Sequence, residues 1–185
     1  MIKRLLVSGY KAHELGIFNE DHKGIPIIKK ALTDQLLVLL DQGLEWVIVS
    51  GQLGVETWVI ECVWDLQEDY PNLQYAVITP FLDQQSNWNE IKQETYEQII
   101  SLADYTVSLT NKPYEAPWQF VEKNKFLLRN SDALLLLYDE ENEGSPKFLK
   151  KMAVQLAENT AYELLSITAD DLQLIAEDLQ REQWE

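Results

Sequence analysis

The sequence predicts an α/β domain of the Rossmann-like kind, a doubly wound, mostly parallel sheet flanked by helices and built from residues 1–185 as a single unit. Three observations carry this. Short apolar runs alternate with longer amphipathic stretches along the whole chain. The runs are almost continuously hydrophobic, as strands buried on both faces are. Strands alternating with helices of this length call for right-handed crossovers back to a common sheet. A chain of 185 residues, 46% hydrophobic and 25% charged, has the size and the apolar content of one core. No internal repeat, low-complexity tract or Gly/Ser linker divides it.

Taken in order, Ile2 to Val7 reads as the first strand. The basic pair Lys3-Arg4 precedes apolar residues, but Gly9-Tyr10-Lys11 cuts the run short of a signal-peptide core or a membrane span. A helix is expected from about Ile25 to Gln42, and a second strand at Trp46 to Val49. In the next helix Val55, Trp58, Val59, Cys62, Val63, Leu66 and Tyr70 form a stripe of helical period, so Cys62 is expected to be a packed core thiol. Strands follow at Tyr75 to Ile78, Tyr105 to Leu109, Ala133 to Tyr138 and Leu164 to Ile167. Between and after them, helices are expected over Trp88 to Ala103, Ala116 to Asn130, Pro146 to Asn159 and Ala169 to Gln180. Thr168 and Asp171 have the spacing of a capping box for the last helix, and the acidic tail from about Glu177 to Glu185 is expected to fray at its end. Ala133 to Tyr138 belongs beside the first strand at the sheet centre, which would bring Gly9, Gly51 and Gly144 to one crevice.

The lone cysteine forms no internal disulfide and points to a reducing, cytoplasmic setting. With 31 acidic side chains against 15 basic ones, the net charge of −16 argues against a sequence-blind grip on DNA or RNA. Residues 1–30 differ from the rest, with six basic side chains against three acids, so an anion is better received near the first strand.

In an open parallel sheet, ligands bind beyond the carboxyl ends of the strands, where strand order reverses. The loops to search are therefore Ser8-Gly9-Tyr10-Lys11, Ser50-Gly51-Gln52-Leu53-Gly54-Val55-Glu56, and Asp139 with Gly144-Ser145-Pro146. The second is the strongest local signal. Gly51 and Gly54 allow a tight turn and close backbone approach, the helix that follows offers N–H groups to an anion, and Glu56 sits in its first turn. A plain strand-to-helix turn with a favourable first-turn acid accounts for the same residues. Ser145 before Pro146, followed by Lys147, Lys150 and Lys151, makes a second anion seat, or else a capped surface helix with solvated lysines. No G-x-G-x-x-G follows the first strand and no Walker lysine follows the glycines. His13 and His22 lack the companions of a zinc site, so neither metal nor cofactor is expected. Tyr10, Phe81, Trp88, Tyr114 and Trp118 could offer faces for a base, with Pro80 beside Phe81 counted among the ligand-site residues.

These segments together, Ser8-Gly9-Tyr10-Lys11 with Glu14 to Phe18, Ser50 to Glu56, Thr79-Pro80-Phe81 with Trp88, and Ser131-Asp132 through Tyr138-Asp139 to Gly144-Ser145-Pro146-Lys147, resemble the YpsA-like family over nearly the whole chain. That family sits in the SLOG superfamily with the LOG phosphoribohydrolases and the DprA/Smf proteins. The resemblance implies a Rossmannoid sheet that binds a nucleotide, nucleoside or ADP-ribose-like ligand at the loops named above. It does not imply catalysis. LOG enzymes carry Gly-Gly-x-Gly-Thr-x-x-Glu, and here Gly144-Ser145 matches the Gly-Thr step while Phe148 occupies the glutamate position. Upstream, Glu122-Lys123-Asn124-Lys125 lacks their Arg-Lys pair.

The expected function is binding of a nucleotide-derived small molecule as a sensor or regulator without turnover. A protein partner and a link to bacterial cell-division control follow from the resemblance alone. The alternatives are a hydrolase of a nucleotide derivative, with Glu56 as substitute acid, and a protein-interaction or DprA-like nucleic-acid module.

Overall fold

A strand buried on both faces has hydrogen-bonding partners on both edges, and the first strand has both. In the computed structural model, which describes residues 1–185, β1 (Arg4–Gly9) pairs in parallel with β2 (Trp46–Val49) and with β5 (Ala133–Leu137). Outside β2 lie β3 (Gln74–Thr79) and β4 (Tyr105–Ser108), and outside β5 lies β6 (Glu163–Ile167). The order is β4-β3-β2-β1-β5-β6 and every pair is parallel. The chain steps outward from β1 to β4 and then returns to β1's other side, so strand order reverses between β1 and β5.

The first strand starts and ends two residues later than the apolar run suggests. At its start the Asp132 carboxylate accepts the Lys3 and Arg4 N–H groups at 3.0 and 2.8 Å and pairs with the Arg4 guanidinium. At its end Ser8 and Gly9 still find ladder partners in Leu136 and Leu137. Hydrophobicity marks which residues are buried, whereas the ladder is set by the neighbouring strand.

Six helices cover the sheet: α1 (Gly24–Asp41), α2 (Val55–Leu66), α3 (Glu90–Leu102), α4 (Trp118–Arg129), α5 (Lys147–Asn159) and α6 (Ala169–Trp184). None is long and apolar enough to cross a membrane. Alternate strand residues serve two cores. Leu5, Val7, Val47, Val49, Tyr75, Val77, Leu135 and Leu137 meet α1, α2 and Ile99 of α3 in a cluster of 28 buried residues, with Leu172 and Ile175 of α6 packed against it. Leu6, Ile48, Ala76, Ile78, Leu134 and Leu136 meet only α4 and α5, in a cluster of 10. The second face is thinly covered, and a cleft opens there.

Thr168 and Asp171 cap α6 reciprocally, at 2.8 and 3.2 Å. The last helix, expected to run to about Gln180, continues through the acidic tail to Trp184. Arg181 pairs with Asp178 and Gln173 with Glu177, at spacings that support a helical surface. Cys62 is buried against the Lys29 carbonyl, and burial pushes its thiol up.

The loops after β1 and β2 are tied to each other. Val55 donates its N–H to the Tyr10 carbonyl at 3.2 Å, Ala12 donates to the Leu53 carbonyl at 3.1 Å, and Lys11 and Gly54 form an isolated antiparallel bridge. Gly54 sits at φ +130°, and a Cβ there would stand 2.5 Å from the Tyr10 oxygen. Gly54→Ala is therefore expected to lower unfolding stability by about 1–3 kcal/mol, the cost of a strained backbone, and more where the two loops must part. Urea denaturation measures it. A variant as stable as wild type would show that the loops are free to separate.

Candidate functional site

The cleft lies over the C-terminal half of β1, between α4 and α5, and encloses about 550 Å³, within the range of small-molecule sites. Leu6, Ser8 and Gly9 form its floor with Ser50 at the end of β2, and Lys11, Gln52 and Glu56 reach it from the two tied loops. One wall is α4, through Pro117, Phe120, Val121, Lys123, Asn124 and Leu127. The other is α5 and its approach, through Ser145, Pro146, Phe148, Leu149, Lys151 and Met152. The walls are largely apolar and the floor is polar.

In a chain with net charge −16, this cleft holds three lysines, Lys11, Lys123 and Lys151, and one carboxyl, Glu56. Lys123 is 9% exposed and makes neither a hydrogen bond nor an ion pair; its amine lies 5.5 Å from the Phe120 ring centroid. Burial holds the amine below the ordinary lysine value against the opposing charge of Glu56. Glu56 is buried as well, and its carboxylate accepts the Ser50 N–H and, at 2.9 Å, the Ser50 hydroxyl. Burial pushes this carboxyl above the usual range, opposed by Lys123, the Ser50 hydrogen bonds and Lys11. Buried polar groups are nearly always paired. Lys123 is not, although an acid of opposite charge stands in the same cleft.

The second anion seat, at the start of α5, is filled by the chain itself. Glu14, in a single 3₁₀ turn over Ala12–Leu15, accepts the Ser145 N–H at 2.8 Å, the Ser145 hydroxyl at 2.7 Å and the Lys11 N–H at 2.9 Å. Burial raises this carboxyl, but the bonds from Ser145 and Lys11 together bring it below its ordinary value. Tyr10 ties the same loops from beneath. Its hydroxyl accepts the Asp139 N–H at 2.8 Å and donates to the Asn142 carbonyl at 2.6 Å, and its ring stacks on Tyr138 at 5.4 Å between centroids.

Of the residues singled out from the sequence, Ser8, Gly9, Lys11, Ser50, Gln52, Glu56 and Ser145 line the cleft. Of the three glycines expected to share one crevice, only Gly9 lines it. Gly51, Gly54 and Gly144 stand outside, each pressed by a neighbour. A Cβ at Gly51 would come within 2.7 Å of Gln84, and one at Gly144 within 2.6 Å of Glu14. Tyr10 and Asp139 also lie outside the lining and brace its loops. Pro80, Phe81 and Trp88 belong to a separate region. Phe81 packs edge-on against Phe120, backing the α4 wall at 5.5 Å, and Trp88 packs on Tyr96 at 5.4 Å.

Sequence reasoning missed Lys123 and Asn124 as lining residues, and with them the whole α4 wall. A signal was there. Gln119, Lys123 and Leu127 recur every four residues, so Lys123 falls on the inward stripe of α4, where lysine is rare. Of the lysines near α5, Lys151 lines the cleft, while Lys147 pairs with Glu143 and Lys150 with Glu140. Phe148, at the position where LOG enzymes carry glutamate, is 65% exposed at the cleft.

The family model described as the YspA SLOG family matches residues 5–172. A UPF0398 protein of Lysinibacillus sphaericus is 59% identical over 179 residues, covering 97% of this chain and 100% of its own. The UPF0398 protein YpsA of Bacillus subtilis is 51% identical over 177 residues, covering 96% and 98%.

Lys123→Met removes the buried charge and keeps an unbranched stem, and is expected to raise stability at neutral pH by on the order of 1 kcal/mol. Between the lowered folded pKa and the ordinary lysine value near 10.4, the unfolded chain binds more protons, so the penalty from Lys123 fades as pH rises. The advantage of the variant is thus complete below the folded pKa and closes toward about pH 10.4. Urea titrations of both proteins across that window test the sign, and a gap that widens with pH would contradict it.

Proposed function

The chain belongs to the YspA SLOG family, and on that premise we propose that the cleft between α4 and α5 binds a nucleotide-derived anion, making the protein a sensor or regulator without turnover. The observation that carries this reading is Lys123, a buried side chain whose amine opens onto the cleft without a hydrogen bond or ion pair, beside Lys11 and Lys151 in a strongly acidic chain. A buried cation is costly unless something neutralises it, and a phosphate does so with hydrogen bonds. The reading seats the phosphate on lysine side chains rather than on the Gly51 to Glu56 turn. The Ser50 and Val55 amides at that turn are already donated to Glu56 and Tyr10, and at the start of α5 the Ser145 amide goes to Glu14 and the Lys147 amide to the Gly144 carbonyl. Phe120 and Phe148 offer apolar surface to a base, and Ser8, Gln52 and Asn124 offer partners to a ribose. The reading sets this activity in the cytoplasm, where a liganded state would be passed to a protein partner, with control of bacterial cell division as the setting.

A thermal-shift panel of nucleotides, cyclic nucleotides, NAD and ADP-ribose tests it. A ligand at ~100 times its dissociation constant stabilises the native state by about 2.7 kcal/mol, or roughly 5–10 °C for a chain of this size. Lys123→Met is expected to lose that shift, and Lys125→Met, on the exposed side of α4, to keep it. Equal shifts in wild type and Lys123→Met would remove the ligand from this cleft.

Hydrolysis is the second reading, favoured by one observation: Glu56 is a buried carboxyl of raised pKa in the cleft, the condition of a general acid. Its carboxylate is tied to Ser50, however, and Phe148 offers no proton. Release of free base from nucleoside monophosphates is expected to be undetectable, or slowed by the ~10²- to 10⁴-fold that a missing acid/base costs. Turnover that disappears in Glu56→Gln would make hydrolysis the leading function.

A further inference from the structure

Lys123 has properties that simple charge neutralisation does not require. An amine that only balances a phosphate keeps its full charge best at a hydrated rim, and Lys11 and Lys151 are the less buried lysines of this cleft. Lys123 is instead placed on the inward stripe of α4, among Phe120, Leu127 and the sheet, without hydrogen bond or ion pair. The one acid in the cleft, Glu56, is also buried and is held by Ser50 rather than by the amine. A desolvated lysine in an apolar pocket is the arrangement in which an amine becomes a nucleophile toward carbonyl carbon.

We propose that Lys123 captures an aldehyde as a reversible imine, so that the cleft's ligand is a phosphorylated sugar able to open to its aldehyde: an aldose phosphate or an ADP-ribose-like molecule with a reducing ribose. This rests on the anion-binding reading of the same cleft and selects among its ligands. The phosphate lies with Lys11 and Lys151, and Ser8 and Asn124 take sugar hydroxyls. The neutral amine adds to the aldehyde carbon, the carbonyl pair moves to oxygen, and a proton passes from nitrogen to that oxygen. Solvent water in the open cleft then protonates the hydroxyl, which leaves as water while the nitrogen lone pair forms C=N, and the hydroxide left behind takes the nitrogen proton; Glu56 stays bonded to Ser50 throughout. Amine and aldehyde become imine and water, with nothing oxidised or reduced. Burial favours the neutral, nucleophilic form of the amine.

The test incubates the full chain with ribose 5-phosphate, and in parallel with ADP-ribose, in the presence of cyanoborohydride, and maps the reduced adduct by peptide mass spectrometry. The adduct is expected on Lys123 in clear excess over exposed Lys125, since burial lowers the Lys123 amine and so enlarges its free-amine fraction. Ribitol 5-phosphate, which has the phosphate and hydroxyls but no aldehyde, should suppress it. Lys123→Arg keeps the charge and should carry no adduct at that position, and Lys123→Met serves if the arginine variant does not fold. Labelling spread over exposed lysines with Lys123 no higher overturns the proposal. If ribitol 5-phosphate raises the melting temperature while Lys123 stays unlabelled, the imine is wrong and anion binding stands. If there is neither shift nor label with any of these probes or with the nucleotide panel, both readings fall.

Discussion

Val55 donates its backbone N–H to the Tyr10 carbonyl at 3.2 Å, and that bond, with Ala12 to Leu53 and the Lys11–Gly54 bridge, joins the two strand-end loops into one unit. The geometry of the site descends from this contact. It brings the first turn of α2 against the end of β1, so that Val55 packs where a Cβ at Gly9 would lie 2.7 Å away. From there Glu56 turns back beneath Ser50, and Lys11 is carried to the same cleft. Only a glycine at position 54 lets the backbones come this close.

The uneven covering of the sheet explains why the space on the other side stays open. The larger core draws on α1, α2, α3 and α6, while α4 and α5 alone serve the opposite face. These two helices sit over a sheet whose order reverses between β1 and β5, so they straddle β1 and leave its C-terminal end uncovered between them. Gln119 steadies the approach to α4. Fully buried, it accepts the Glu115 and Ala116 N–H groups and donates to the Thr110 hydroxyl and the Pro113 carbonyl, so one amide organises the loop that leads to Pro117 and the α4 wall. Leaving such a group without its partners costs about 1–3 kcal/mol each time, which makes this loop a rigid rim.

Electrostatics divide the cleft into satisfied and unsatisfied halves. At the α5 end, Glu14 already supplies the negative charge that a helix N-terminus favours. At the α4 end, Lys123 feels the charge of Glu56 but makes no hydrogen bond to it, and Glu56 is bonded to Ser50 instead. The unpaired positive charge of the cleft is therefore concentrated on one amine.

The alternation of apolar runs and amphipathic stretches was enough to determine a parallel, doubly wound sheet, its six strands, the inward stripe of α2 with Cys62, and the capped start of α6. These depend on local period and on short-range hydrogen bonds, which a linear chain displays directly. The rule that ligands sit at strand ends pointed to Ser8, Gly9, Lys11, Ser50, Gln52, Glu56 and Ser145, which line the cleft because they end or follow strands on either side of the reversal in strand order. The functions of the glycines and the α4 wall were decided only in three dimensions. Gly54 and Gly144 read as openings for a phosphate, but they are needed because Tyr10, Ala12 and Glu14 press on them from segments distant in sequence. Lys123 reads as one charge in Glu122-Lys123-Asn124-Lys125, and its burial arises because α4 crosses the sheet with that side chain facing inward. Local sequence sets which residues could be buried together, whereas the packing of α4 over β1 sets which charge is left there without a partner.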